Sequence, residues 1–362
     1  MKRKLLDFII CPVCKKNLSL KIFKEDNGEI EEGLLACSCG QFFPIIKNIP
    51  RILLGDLRES IYKHFPDFFL KYKNSLPEEE FKEIKPDNLK KKETLESFGF
   101  LWHKYPKDLK EWEKNFKFYF APLDNLELLR NKTILDAGCG NGRHTFYSAD
   151  FAKEVIAFDL SLSVNVAFEN NKRNNNTHFL QADIYNLPFR PDCFDFIFSI
   201  GVLHYLPFPE QGFKKLLELL KDQSGILIYV YHAFPKTSFN YYLVKITDCL
   251  RFFTTKTSYR LLYFLSYPIA LISYLVFVLP YIIFSKIFKI RKITQINWPL
   301  KLYSGYPFKV LINDTFDRFS PPLEHRYSKQ EILDWYQKAE LKNIKILGQG
   351  GWRIFGIKNK FI

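Results

Sequence analysis

The stretch that decides the fold is Leu135-Asp136-Ala137-Gly138-Cys139-Gly140-Asn141-Gly142, which follows an apolar run and leads into a helical pattern. Glycine at a strand-to-helix turn lets backbone pass close to a ligand, because no Cβ stands in the way. A dinucleotide loop would read G-x-G-x-x-G and set a pyrophosphate on the helix N-terminus. Here the glycines fall at 138, 140 and 142, and Arg143 holds the third glycine's place. Asp136 ends the strand, where a carboxylate is badly placed beside a phosphate. It suits a cationic ligand with an amino-acid end.

Working outward, TILDAG, EVIAFD, THFLQAD, FDFIFSIG and GILIYVY read as five successive strands between helical stretches, the signature of a parallel α/β sheet. Asp159 ends the second strand, where it can accept hydrogen bonds from two ribose hydroxyls. Asp183 ends the third and can accept from an adenine amino group, with Ile184 beside the ring and Ser199 at the fourth strand's exit. A cation, a ribose and an adenine together point to S-adenosylmethionine. NIKILGQG and WRIFGIK read as two closing strands joined in a hairpin, which makes the last strand antiparallel. The expected fold is α/β, a Rossmann-like seven-stranded sheet.

Four of the seven cysteines, Cys11, Cys14, Cys37 and Cys39, lie in the first 40 residues. Two tight turns with two thiolates each can close a tetrahedral sulfur site, and soft thiolates choose zinc over harder ions. The expectation is a closed structural zinc ribbon over 1–55. A helical connector over 56–130 follows, interrupted at Pro66, Pro77, Pro86 and Pro106. The cofactor-binding half of the sheet spans 131–235, an apolar insert 236–300 and the rest of the core 301–362.

On these motifs the chain resembles two families. Residues 5–54 are similar to the small zinc ribbons that activate tRNA and protein methyltransferases, and to ribbons fused in front of bacterial methyltransferases. That family has Asp-Gly before its final Ile-Pro, where this chain has Lys47-Asn48. Residues 120–235 and 310–358 resemble class I S-adenosylmethionine-dependent methyltransferases, most of all the small-molecule branch with the ubiquinone and menaquinone C-methylases. The resemblance implies that Gly138, Gly140 and Gly142 form the cofactor loop, with Asp159 on the ribose and Asp183 on the adenine.

Methyl transfer from a sulfonium needs alignment more than a catalytic group, and a general base only where the acceptor must lose a proton. His204, just past the fourth strand, and His325, in the S-P-P-x-x-x-H run before a helix capped by Ser328 and Glu331, are the candidate bases. Phe98, Gly99 and Trp102 suggest either a lid over the cofactor or a packed connector helix. An Asn/Asp-Pro-Pro sequence at the fourth strand and a Pro-Cys nucleophile are both absent. Base methylation by those two routes is thereby disfavoured.

The net charge of +14 comes from 53 Lys+Arg against 39 Asp+Glu. Residues 240–310 hold ten Lys/Arg and one Asp, so +9 of it surrounds one apolar segment. Leu261 to Ser285 are 25 uncharged residues, flanked by Arg251, Lys256 and Arg260 before and Lys286, Lys289, Arg291 and Lys292 after. That is long enough to span a bilayer, but the strands on either side must join one sheet, which opposes a single crossing. The insert is therefore either a re-entrant or in-plane element with peripheral contact to a membrane's inner face, or a helical subdomain packed on the protein or dimerising. The basic start carries no apolar stretch long enough for a signal peptide, so the expected location is cytoplasmic. The expected activity is methyl transfer to a small-molecule or lipid-linked acceptor, with nucleic acid the lesser partner. The alternatives are an RNA methyltransferase and a non-catalytic cofactor-binding scaffold.

Overall fold

A computed structural model describes residues 1–77, 93, 96–102, 104, 109–287, 296 and 298–359. Pro86, Pro106, Lys289, Arg291 and Lys292 lie outside the described residues. The chain divides into two compact units, Met1–His232 with Leu323–Ile362, and Ala233–Pro322.

In the first unit the strands are β1 (Ser19–Asp26), β2 (Glu29–Ala36), β3 (Phe42–Ile46), β4 (Ile49–Ile52), β5 (Thr133–Ala137), β6 (Glu154–Asp159), β7 (Thr177–Ala182), β8 (Phe194–Ile200), β9 (Leu220–Val230), β10 (Lys342–Gly348) and β11 (Trp352–Ile357). They form one sheet in the order β1-β2-β3-β4-β7-β6-β5-β8-β9-β11-β10. The stretch from β7 to β10 is the expected Rossmann-like methyltransferase sheet. β5 to β9 are parallel, and β11 runs antiparallel to both β9 and β10. Parallel strands covered on both faces favour apolar side chains, which is why their centres read as short apolar runs such as Val155-Ile156-Ala157 and Ile226-Leu227-Ile228. Leu135, Ile156, Leu180, Ile197, Ile226 and Ile228 are fully buried in the resulting core.

β1 to β4 make an antiparallel meander that carries the cysteine turns. Lys47 and Asn48 both have positive φ, 53° and 63°, and form the two-residue turn between β3 and β4. The Lys-Asn departure is thus compatible with the left-handed turn that Asp-Gly would make. The ribbon does not stop at residue 55 as a separate layer. β4 pairs in parallel with β7, placing Arg51 opposite Gln181 and Ile52 opposite Ala182. Arg51 is wholly buried at this seam, donating to Asn165 Oδ1 at 2.6 Å, Gln181 Oε1 at 3.2 Å and the Ile46 carbonyl at 3.3 Å.

The helices of the first unit up to residue 232 are α1 (Asp56–His64), α2 (Pro66–Lys71), α3 (Leu109–Tyr119), α4 (Arg143–Ser148), α5 (Ser163–Asn170) and α6 (Pro209–Leu217). The second unit holds α7 (Phe239–Thr254), α8 (Tyr259–Ser273) and α9 (Phe308–Phe319). α8 runs on through π-helical turns at Tyr274–Val278 and Ile283–Ile287. The last helix, α10 (Lys329–Lys338), returns to the first unit and opens with the expected Ser328–Glu331 capping box.

The sequence placed residues 301–322, Asp314 and Asp317 among them, with the sheet. Both lie within α9, which groups with the insert. Its Leu311 and Ile312 pack with Ala270 and Val278 in a small separate core. The C-terminal carbonyls of α9 are satisfied from α7. Arg251 donates twice to the Arg318 carbonyl, at 2.9 and 3.2 Å, and Thr254 donates to the Phe319 carbonyl at 2.8 Å.

Candidate active site

β5, β6 and β7 end side by side, and each delivers one carboxylate to the same edge of the sheet. Asp136 is buried and accepts from Thr145 Oγ1 at 2.6 Å. Burial pushes its carboxyl up to about 7. A carboxyl held in so apolar a place favours a cationic ligand, whose charge offsets the lost hydration. Gly138 has φ of +85°, and a Cβ there would lie 2.3 Å from Val202. Gly140 has φ of +54°, and its Cβ would come within 3.0 Å of the Trp102 ring. Gly142 continues the loop as the N-cap of α4.

Asp159 fastens this loop to the next. One oxygen accepts from the Gly140 amide at 2.9 Å, and the other from the Ser161 amide and hydroxyl at 2.8 and 2.7 Å. Asp183, buried at the end of β7, accepts from the Tyr185 amide at 3.2 Å and from Asn186 Nδ2 at 3.3 Å, with Ile184 buried beside it. Ser199 is committed elsewhere: its buried hydroxyl donates to the Ala137 carbonyl at 2.9 Å and joins β8 to β5.

The helical stretch 96–102 lies over this edge. Trp102 covers Gly140 and receives the Arg143 guanidinium at 5.1 Å from its ring. Gly99 backs onto Ser161 and Leu162, and the Phe98 ring meets Tyr205 at 5.0 Å. Of the two readings weighed from sequence, these contacts are those of a packed helix.

His204 follows β8 and is wholly buried. Burial holds its imidazole well below the usual value, so it is neutral. Neither ring nitrogen finds a hydrogen-bond partner among the described residues. Its ring stacks on Tyr231 at 4.0 Å, and the Tyr205 hydroxyl donates to the Tyr231 hydroxyl at 3.2 Å. The His325 amide donates to the His204 carbonyl at 2.8 Å, so the two candidate bases meet although far apart in sequence. Arg326 sits 5.1 Å from the Tyr231 ring and pairs with the buried Glu324 at 2.7 Å.

Thr145, Ser161 and Tyr231 were not singled out from sequence. Only Ser161 carries a local signal, since Asp-x-Ser is the spacing of a carboxylate accepting from the amide two residues on. In the ribbon, the sulfurs of Cys11, Cys14, Cys37 and Cys39 lie within 4.8 Å of one another, a donor set that suits zinc.

Residues 135–228 match the family model described as methyltransferase domain, and residues 2–48 the one described as Trm112p-like protein. The chain is 30% identical over 177 residues to the tRNA U34 carboxymethyltransferase of Shewanella pealeana, covering 46% of this chain and 53% of the relative. It is 35% identical over 127 residues to that of Aliarcobacter butzleri, covering 33% and 39%. The chain therefore spans about half, or less, of the length of these curated relatives. Among solved structures it resembles the complex between the Haloferax volcanii Trm112 methyltransferase activator and a methyltransferase, at 12% identity and a TM-score of 0.38, over 71% of this chain and all of that one.

The chain thus carries a methyltransferase domain, of the S-adenosylmethionine-dependent kind, behind a Trm112-like one. The expected quinone C-methylase branch is replaced by relatives that bear tRNA names. Those names also overturn the expectation of a small-molecule or lipid-linked acceptor with nucleic acid as the lesser partner. That expectation drew on the resemblance to the small-molecule branch, on the charge gathered around the apolar insert and on two missing base-methylation motifs, and those motifs serve particular base atoms only.

Proposed function

We propose that the protein is an S-adenosylmethionine-dependent enzyme that modifies RNA, with a uridine of tRNA as the substrate class, and that the four cysteines hold a structural zinc ion. The observation that carries this reading is the constellation inside residues 135–228, which match the methyltransferase domain, taken with the tRNA names of the curated relatives. Asp136, Asp159 and Asp183 end adjacent strands around a glycine loop, and the next strand exits into His204 and Tyr205.

When bound, S-adenosylmethionine supplies an electrophilic methyl carbon on a positively charged sulfur. Asp136 and Asp183 would hold its amino-acid and adenine ends, and Asp159 its ribose. Trp102 and Phe98 keep water from the edge of the sheet. Holding two reactants in line is worth up to about 7–11 kcal/mol in well-oriented systems. Flat side chains such as Tyr231 and Tyr205 offer the faces on which an unstacked base settles. Where the accepting atom bears a proton, neutral His204 is in the form that can take it.

The test incubates the protein with methyl-labelled S-adenosylmethionine and a whole-cell extract, then separates RNA, lipid, protein and small molecules. Label in a uridine-derived nucleoside of the tRNA fraction is the expected result. Label confined to the other fractions overturns the proposal.

A further inference from the structure

The second unit presents an apolar surface of an unusual kind. α8 and its continuation supply 27 residues, Tyr259–Ser285, whose most apolar 18-residue window has a mean hydropathy of 2.1, yet little of that window is buried. Its buried positions, Leu262, Ser266, Ala270 and Val278, recur at every fourth residue or a multiple of it, and Ala270 and Val278 form a core with Leu311 and Ile312. Its exposed positions follow the same helical period on the other side: Leu261, Phe264, Leu265, Leu271, Ile272, Leu275 and Val276. A helix on the surface of a water-soluble unit carries polar residues on that side. Here the outward stripe is apolar throughout, and Phe264 is 70% exposed. α7 repeats the pattern with Phe239, Tyr242, Ile246, Leu250 and Phe253 exposed three or four residues apart.

We infer that this stripe is a docking surface for an anionic phospholipid bilayer, with α8 lying in the plane of the headgroups. Three observations choose the bilayer over other occupants. From Ala233 to Asn313 the chain has eleven Lys/Arg and one acid, Asp248, and the charges gather at the ends of the apolar segment. A second copy would bring the same positive charge face to face, whereas anionic headgroups complement it. An RNA surface needs basic or hydrogen-bonding side chains within the contact, and the stripe from Leu261 to Val276 has none beyond the Tyr267 hydroxyl.

The same geometry excludes a crossing. One face of α8 is taken by α9, which carries Asp314, Asp317 and Arg318, so lipid chains cannot surround the helix. A single span would also put β9 and β11 on opposite sides, although they pair residue for residue from Trp352–Val230 to Ile357–Gly225. An in-plane helix buries its apolar face to about 5–10 Å in the headgroup boundary. Lipid is here a surface to rest on and not the acceptor of the reaction, so the inference stands independently of the proposed RNA chemistry.

The experiment uses the full chain and sedimentation with phosphatidylcholine vesicles, with and without phosphatidylglycerol. Binding to the anionic vesicles is expected, weakening but not vanishing in high salt. The triple variant Phe264→Ser, Leu271→Ser, Leu275→Ser should lower the partition coefficient by more than about tenfold. S-adenosylhomocysteine should stabilise it as it does the parent, which certifies its fold. A second variant, Lys256→Glu with Arg260→Glu, should lose only the preference for anionic lipid. Equal sedimentation of parent and triple variant overturns the inference. So does a parent that ignores both vesicle types, whether it then forms a dimer broken by the triple variant or loses tRNA affinity through it.

Discussion

The two units dispose of their apolar residues in opposite directions. In the sheet unit, Phe198 of β8 is fully buried, and so are the aliphatic side chains of β5, β6 and β9. In the helical unit one side is buried, with Leu262, Ala270, Val278, Leu311, Ile312 and Phe316, while Phe264, Ile272 and Val276 stand in solvent. Both regions read as strongly apolar in sequence. Composition says that such side chains must leave water, but only topology says where they go. A strand between two helical layers is covered by its own chain; a helix packed on one face needs something outside the molecule.

The largest effect expected from this contrast is in the sheet. Phe198→Ala should cost about 3–5 kcal/mol in urea unfolding, since it leaves a cavity that close-packed neighbours cannot fill. Next comes the pH dependence of the site. Asp136 has a folded value of about 7, raised above its ordinary 3.8. The folded protein therefore holds a proton that the unfolded chain has released, and the stability of the unliganded protein falls as pH rises from about 4 to about 7, then levels off. A cationic ligand needs the carboxylate, so calorimetry should find S-adenosylhomocysteine, through its ammonium group, binding about tenfold more tightly at pH 8 than at pH 6. Asp136→Asn should remove that dependence. The smallest effect is in the helical unit: Phe264→Ser should change the unfolding free energy by less than about 0.5 kcal/mol, because its side chain is already in water. A large loss there would show that the stripe is covered by the chain itself.

Much of the sheet unit was legible in the sequence because its signals are local. Apolar runs ending in Asp136, Asp159 and Asp183 mark strands and their ligand edge together, and four cysteines in two tight turns mark one centre. Ser328 and Glu331 announce their capping box by spacing alone. What escaped depends on partners distant in the chain. Nothing in Asn48-Ile49-Pro50-Arg51-Ile52 says that β4 will add itself to β7, or that Arg51 will be buried against Gln181 and Asn165. The meeting of His204 with His325 is of the same kind. α9 was misplaced because nothing local says that its Leu311 and Ile312 will pack with Ala270 and Val278 and not with the sheet. The acceptor was misjudged for a physical reason too: alignment chemistry leaves no catalytic signature, so missing motifs say little about what is methylated.

The central claim is that the edge formed by β5, β6 and β7 is built for S-adenosylmethionine, and Asp159 is its most exacting residue because it ties Gly140 to Ser161. Thermal unfolding with rising S-adenosylhomocysteine tests it directly. The parent should gain stability with ligand concentration as linkage requires, and Asp159→Ala, folded but unliganded, should gain none. Equal stabilisation of both proteins would contradict the assignment.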